Sequence, residues 1–237
     1  AIAAAYAAYR DERQAARRTT ADGSATDGEG GAMPEAMRRM ARAGFRRHHA
    51  EAVAARLTAA VATRTPFPER LVHFWSNHFA VSADKQAVIG FAGNYENEAI
   101  RPHIMGKFAD LLIAAVRHPA MLLYLDQTQS FGPDSVFATR ARSRGRSQTQ
   151  GLNENLAREI LELHTLGVRT GYTQDDVTSF ARALTGLTVA GLGRGVGERL
   201  MPAGTQPGDT VLIDPLHQPG AQTILGKRYG EAGARQA

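Results

Sequence analysis

The sequence predicts a mainly α-helical fold, a multi-helix orthogonal or bundle-like domain with long loops and a small β-hairpin near the C-terminus. Three observations carry that expectation. Apolar residues recur at helical spacing in one segment after another, as in Phe108, Leu111, Leu112, Ala115 and Val116. Helix boundary signals punctuate those segments, including Pro66, Pro68, Pro102, Pro119, Gly167 and Thr173. The composition leans towards Ala, Leu, Arg and Glu, with only 7% aromatic residues, a bias that favours helix over sheet.

Taken in order, residues 1–19 read as an amphipathic helix with a charged face. Its first residues are apolar, but no basic segment precedes them and charges come at once after them, unlike a signal peptide. Residues 20–33, rich in Gly, Ser, Thr and Asp, read as a mobile loop. Residues 34–64 are helical again, with Val53, Leu57 and Val61 as the expected buried stripe, and Pro66 and Pro68 end that helix. The next helix, 69–79, gathers Leu71, Phe74, Trp75, His78 and Phe79 on one broad face. A turn at 82–85 leads to two shorter helices, the second opening at Pro102. His118 and Pro119 restart the chain into a short apolar helix to Asp126.

Residues 127–150 carry no apolar period and read as a flexible loop, in which Arg140, Arg142, Arg144 and Arg146 alternate with small residues. Helical order returns over 153–167, with Leu152, Leu156, Ile160 and Leu163 as its stripe and Gly167 as its stop. Thr173 and Asp176 resemble a capping box at the start of a last helix, to Gly186. Beyond Val189 glycines dominate at 191, 193, 195 and 197. There 211–213 and 223–225 are expected to pair as a hairpin around 217–220. The organisation is therefore N-terminal helices over 1–66, a helical core over 67–189 and an irregular tail over 190–237. The tail reads as cut off, and the missing initiator Met suggests a start further upstream.

At 237 residues the chain is long enough for a sizeable core. Its formal net charge is +5, nearly all the cations are arginine, and acids are spread among them, which suits a solvated surface better than a nucleic-acid site. Without cysteine it has no disulfide, no thiolate chemistry and no sulfur-ligated zinc. No stretch reaches the roughly 20 apolar residues of a membrane span.

Chemistry-bearing residues are scattered through the apolar helices. Asn155, Glu159 and Glu162 share a helix face, while Glu154 and Arg158 stand one turn apart and should pair. Carboxylates so placed can bind a divalent metal or work in acid–base catalysis, and they also suit a solvated helix. His164 lies near a helix C-terminus, where its ring can simply complement the dipole. His78, beside Asn77 on the aromatic face, suits a metal ligand or general base, or a core histidine bonded to a carbonyl. His73 and His78 diverge by about 140° around a helix and make poor partners for one metal. Arg182, between Phe180 and Leu184, is expected to pair with a glutamate. No phosphate loop, nucleophile elbow, dinucleotide fingerprint or HExxH motif occurs.

Three long blocks carry a family resemblance: ERLVHFWSNHFAVSADK from Glu69, EAIRPHIMGKFADLLIAAVRHPAMLLYLD from Glu98, and GLNENLAREILELHTLGVRTGYTQDDVTSFARALTGLTV from Gly151. A weaker block, LHQPGAQTILGK, begins at Leu216. They resemble the bacterial family catalogued as domain of unknown function 1800. Leu187 and Gln222 depart from that family's usual Trp and Lys. The resemblance implies a periplasmic or secreted setting, family segments beyond both ends of this chain, and no mechanism.

It marks Asn77, His78, Arg101, His103, His118, Asp126, Asn155, Glu159, His164 and Arg182 as the polar positions of the signature blocks. Two functional readings are open. The first is a non-catalytic envelope module binding a partner protein or extracellular polymer, with the arginine-rich loop as contact element and Asn77, Arg101, His103, His118, Asp126 and Asn155 as candidate binding residues. The second is a hydrolase of an extracellular polymer or ester, with or without a divalent metal. There Glu159 is base or ligand, His78 and His164 carry protons or ligate, and Arg182 steadies an anion.

Overall fold

The computed structural model describes residues 35–145, 151–191 and 200–230. The helix expected over 1–19, the loop over 20–33, Arg146, the glycines at 193, 195 and 197 and the last seven residues lie outside them. Eight α-helices form the described part: α1 (Glu35–Ala62), α2 (Pro66–His78), α3 (Gln86–Tyr95), α4 (Phe108–Arg117), α5 (Pro119–Tyr124), α6 (Val136–Ser143), α7 (Asn155–Glu159) and α8 (Gln174–Leu184). Two small antiparallel strand pairs complete it. The mainly helical fold is therefore as the sequence predicts.

α5 is the centre. Ala120, Met121 and Leu122 are fully buried, as expected of a helix that is apolar all round. His118 starts it by accepting the Ala120 N–H on Nδ1 at 3.1 Å. Around it pack Phe79 from the end of α2, Val88, Phe91 and Tyr95 from α3, Leu111 and Ala115 from α4, and Leu156 from α7. A smaller cluster of Ala157, Leu161, Val177 and Ala181 joins α7 to α8, and Phe180 and Leu184 touch both clusters.

The boundary residues act differently from expectation at two points. Pro66 and Pro68 do not lie after α1 as a break but inside the first turn of α2, where no intrahelical N–H is needed. Pro102 does not open a helix. α3 runs on into a π-helical turn (Glu96–Ile100) and a 3₁₀ turn (Arg101–His103) that holds the proline, and α4 starts only at Phe108.

The α1 stripe is also corrected. Val53, Leu57 and Val61 are 43%, 60% and 89% exposed. The face of α1 that meets the protein lies one step round, through Phe45, His48, Ala52 and Arg56. Small residues win that position because a Cβ on Gly93 of α3 would stand 2.8 Å from the Ala52 Cβ, so the two helices touch almost backbone to backbone.

The loop expected over 127–150 instead holds a 3₁₀ turn (Gln127–Gln129) and α6, as far as it is described. α6 buries only Ala138 and Ala141, which gives no large apolar residue for a periodicity to show, and Ser135 caps it by accepting the Ala138 N–H at 3.2 Å. The helix expected over 153–167 is α7 continued by a π turn (Ile160–Thr165). Its i→i+5 bond, Leu166 N–H to the Leu161 carbonyl at 3.0 Å, adds a residue to the turn. That shift leaves Leu163 53% exposed and buries Leu161 and His164 in its stead.

α8 begins at the expected capping box, with Thr173 and Asp176 bonded reciprocally. The expected hairpin is replaced by two others: β1 (Leu187–Val189) pairs with β2 (Thr210–Leu212), and β3 (Gln222–Ile224) pairs with β4 (Lys227–Tyr229). The reason is local. Leu225 and Gly226 both have positive φ, 51° and 73°, which makes a two-residue turn and folds β4 back onto β3.

Candidate functional site

A concentration of polar side chains lies where α1, α2 and the α3–π helix meet. Their junction leaves a groove of about 490 Å³, floored mostly by small residues such as Ala52, Ala55, Ala59, Ala80 and Gly93. Across one end runs a chain of ions. Arg101 donates to both oxygens of Glu69 at 2.7 and 2.9 Å and to Glu96 at 2.8 Å. Arg56 completes it at 2.8 Å from the other Glu96 oxygen, and its guanidinium also donates to His73 Nδ1 at 3.0 Å.

The π turn puts Glu96 and Arg101 on this face together, five residues apart. Glu69 is buried, yet its carboxyl is held below the ordinary 4.5, first by the Arg101 hydrogen bonds, which outweigh the cost of burial. Two carboxylates thus neutralise two guanidinium groups. What the groove still offers is neutral hydrogen bonding, from Asn77 and Asn97 in its lining and from Ser76, which donates to Glu96 at 3.2 Å.

His78 and His164 come together on the opposite side of α2. His78 Nε2 donates to the His164 backbone carbonyl at 3.1 Å. The π turn explains that acceptor, since carbonyls at a helix end lack an intrahelical partner. The His164 ring packs against Phe79 with centroids 4.9 Å apart, and Trp75 and Phe108 extend the aromatic cluster around His78. Only 2% of His164 is exposed, and its Nδ1 has no partner among the described residues. Burial first, and the neighbouring His78 second, push its pKa down to about 4, so it is a neutral imidazole in the fold.

The other candidates are dispersed. His118 is buried at the head of α5, and its Nε2 donates to Glu98 at 3.0 Å; that bond is the first cause of the lowered Glu98 pKa. Asp126 sits in the left-handed region, φ 57°, and pairs with Lys85 at 2.6 Å. His103 ends the 3₁₀ turn, its carbonyl accepting the Gly106 N–H at 2.9 Å. Asn155 is exposed and serves α7 through its backbone N–H, which donates to the Asn153 side chain at 2.9 Å.

Glu159 is half-buried and makes no hydrogen bond or ion pair among the described residues; burial, then Glu162, raise its pKa. Glu154 and Arg158 pair as expected, at 3.0 Å. Among the described residues Arg182 pairs with no glutamate, and its Nε is buried without a partner. No group of three His, Asp or Glu among those residues is close enough to hold a metal ion.

Several organising residues escape a reading of the sequence. Glu69 looks like an ordinary first-turn acid, and Asn153 like a loop residue. Yet the Asn153 amide ties the Leu125 and Asp126 carbonyls to α7, at 3.0 and 3.1 Å. Gln218 likewise closes a two-way bond with Asp134, 84 residues away, and nothing local announces that contact.

A second, mainly apolar cavity of about 310 Å³ opens between α4, α7, α8 and the strands, and both Leu187 and Gln222 line it. In comparison with known proteins, the model of a family described as protein of unknown function (DUF1800) matches residues 2–237. No curated protein and no solved structure matches the chain.

Proposed function

The chain belongs to the DUF1800 family, proteins of unknown function, and from that starting point we propose that it is a binding module for a partner protein or a polymer of the cell envelope or its surroundings, held in the α1–α2–α3 groove. The single observation behind this reading is that the groove's ions are already paired with one another. A site that has neutralised its own charges has little attraction for ions, and it recognises by shape and neutral hydrogen bonds. The alanine floor admits an extended chain, and the Asn77 and Asn97 amides can donate and accept along it. Those properties favour an uncharged, hydroxyl-rich polymer over a highly charged one. The paired Glu69, Glu96, Arg56 and Arg101 then hold the groove's shape, consistent with the rule that buried polar groups find partners.

Affinity electrophoresis through gels containing soluble neutral polysaccharides tests this. The native protein is expected to be retarded by at least one of them, with little dependence on salt. Ala55→Trp, which fills the floor, should abolish the retardation while leaving the melting temperature nearly unchanged. Equal retardation of both proteins, or none in any gel, would count against the groove.

A hydrolytic reading is favoured by one observation, Glu159. A half-buried carboxyl with a raised pKa and no hydrogen-bonding partner among the described residues is suited to act as general acid on an ester or glycosidic bond. Glu159→Gln would then abolish release of product from a chromogenic ester or glycoside without changing the melting curve.

A further inference from the structure

The apolar cavity is separate from the groove and from every ion pair described above. Its walls come from elements far apart in the chain: Val116 at the end of α4, Phe180 and Leu184 of α8, Leu187 and Leu212 of the first strand pair, and Ile224 of the second. All six are only half-buried, although the core packs directly behind four of them. The outer wall is fixed in place, because the Leu225 N–H donates to Asp176 Oδ1 at 2.7 Å and so pins the β3–β4 turn to the cap of α8. At about 310 Å³ the space is at the small end of the roughly 300–1,000 Å³ that small-molecule pockets occupy.

Among the described residues one charged residue lines it, Arg117, the last of α4. Its backbone is anchored, the carbonyl accepting from Thr210 Oγ1 at 2.6 Å. Its exposed guanidinium makes no ion pair or hydrogen bond among the described residues. Among the described residues this is an apolar pocket with one uncommitted cation in its lining, complementary to a molecule with a single hydrocarbon body and a single anionic end. We infer that the cavity is a binding site for a small anionic amphiphile, an unbranched aliphatic carboxylate whose chain lies among Phe180, Leu184, Leu187, Leu212 and Ile224 and whose carboxylate meets Arg117. A peptide segment suits it less, because each buried peptide group needs a hydrogen-bonding partner and the walls are mostly apolar.

Calorimetric titration with dodecanoate, below its micelle concentration, tests the assignment. Saturable one-to-one binding is expected, and dodecanol, of equal chain length but uncharged, should bind at least several-fold more weakly. Arg117→Glu, at an exposed position, should weaken dodecanoate roughly tenfold or more, the scale of one charge-assisted contact, and leave dodecanol unaffected. Ala183→Leu, which narrows the cavity, should weaken both ligands, and melting curves without ligand establish that each variant is folded. Absence of saturable binding, or equal affinity for both ligands in the native protein and Arg117→Glu, overturns the inference. So does self-association that Ala183→Leu abolishes in the absence of any dodecanoate binding, which would make the cavity a contact between copies.

Discussion

At the scale of single residues, the histidines show how a recognisable side chain can have an unrecognisable role. His78 and His164 do come together, but through a ring nitrogen and a backbone carbonyl, a partner that no spacing of side chains encodes. The buried His164 has a consequence for acid stability. Its folded pKa of about 4 lies below the unfolded 6.5, so the unfolded chain takes up the proton first. Its contribution is therefore complete above pH 6.5, lost as the pH falls towards about 4, and level below that. The loss amounts to at most about 3 kcal/mol. Urea denaturation at neutral pH and near pH 4 should show it, and His164→Leu should flatten the slope in this window.

The lowered carboxyls of Glu69 and Glu98 act in a different range. Their contribution is present above the ordinary 4.5 and disappears as the pH falls through their depressed values. At Glu69 the largest single contribution is the Arg101 hydrogen bonding, so Arg101→Met leaves Glu69 buried without its bidentate partner. With the guanidinium one-third exposed, the expected cost is about 2–3 kcal/mol, less than for a fully buried pair. The double variant Arg101→Met/Glu69→Gln should recover part of it by the same denaturation measurement, and a double variant no more stable than the single one would contradict this account.

Among the elements, the sequence was most legible where apolar residues are large and evenly spaced. α5 and α8 are found where apolar runs and caps place them, the Thr173–Asp176 box forms as expected, and α4 follows the period of Phe108, Leu111 and Ala115 although Pro102 does not open it. It was least legible where packing uses small residues or where a turn gains one residue. α6 buries two alanines and gave no signal, and the extra residue in the π turn exchanged Leu163 for Leu161 and His164 in the core. The face of α1 was misread for the first of those reasons, because Gly93 and Ala52 set the contact rather than the valines and leucine.

That contact is testable. Gly93→Val has no room against the Ala52 Cβ, and overpacking of this kind typically costs about 1–3 kcal/mol. It should lower the midpoint of denaturation and, by prising α1 from α3, abolish any ligand binding in the groove. Asp176→Ala removes the return half of the α8 capping box, the carboxylate that accepts the Thr173 N–H, together with the acceptor that pins Leu225. The Thr173 hydroxyl still accepts the backbone N–H of residue 176, so the expected cost is at the low end of the roughly 0.5–2 kcal/mol that a cap is worth. Hydrogen exchange should in addition accelerate at the Leu225 amide, and an unchanged rate there would mean that the turn holds itself.

For the molecule as a whole, the question is whether its two apolar clusters fold as one. The candidate site depended on that assembly and was largely illegible, since Glu69 meets Arg101 across 32 residues and Asp134 meets Gln218 across 84. Phe180 and Leu184 are the physical link, because each packs against both clusters. If that link is strong, unfolding is a single transition. The chain provides its own probe: Trp75 is its one tryptophan and packs against the larger cluster, stacked on Phe79 and tilted against Phe108.

Tryptophan fluorescence therefore tracks the larger cluster, while far-UV ellipticity tracks all the helices, α7 and α8 included. In urea the two signals should share one midpoint. Phe180→Ala sharpens the test. Truncating a buried phenylalanine costs about 3–5 kcal/mol and a half-buried one less. In one cooperative unit the variant lowers both midpoints equally, although Phe180 is not among the rings around Trp75. Ellipticity that falls earlier while the fluorescence midpoint stays in place would show α7 and α8 unfolding by themselves. The apolar cavity would then have walls of unequal stability, with α4 on the lasting side and α8 on the side that opens first.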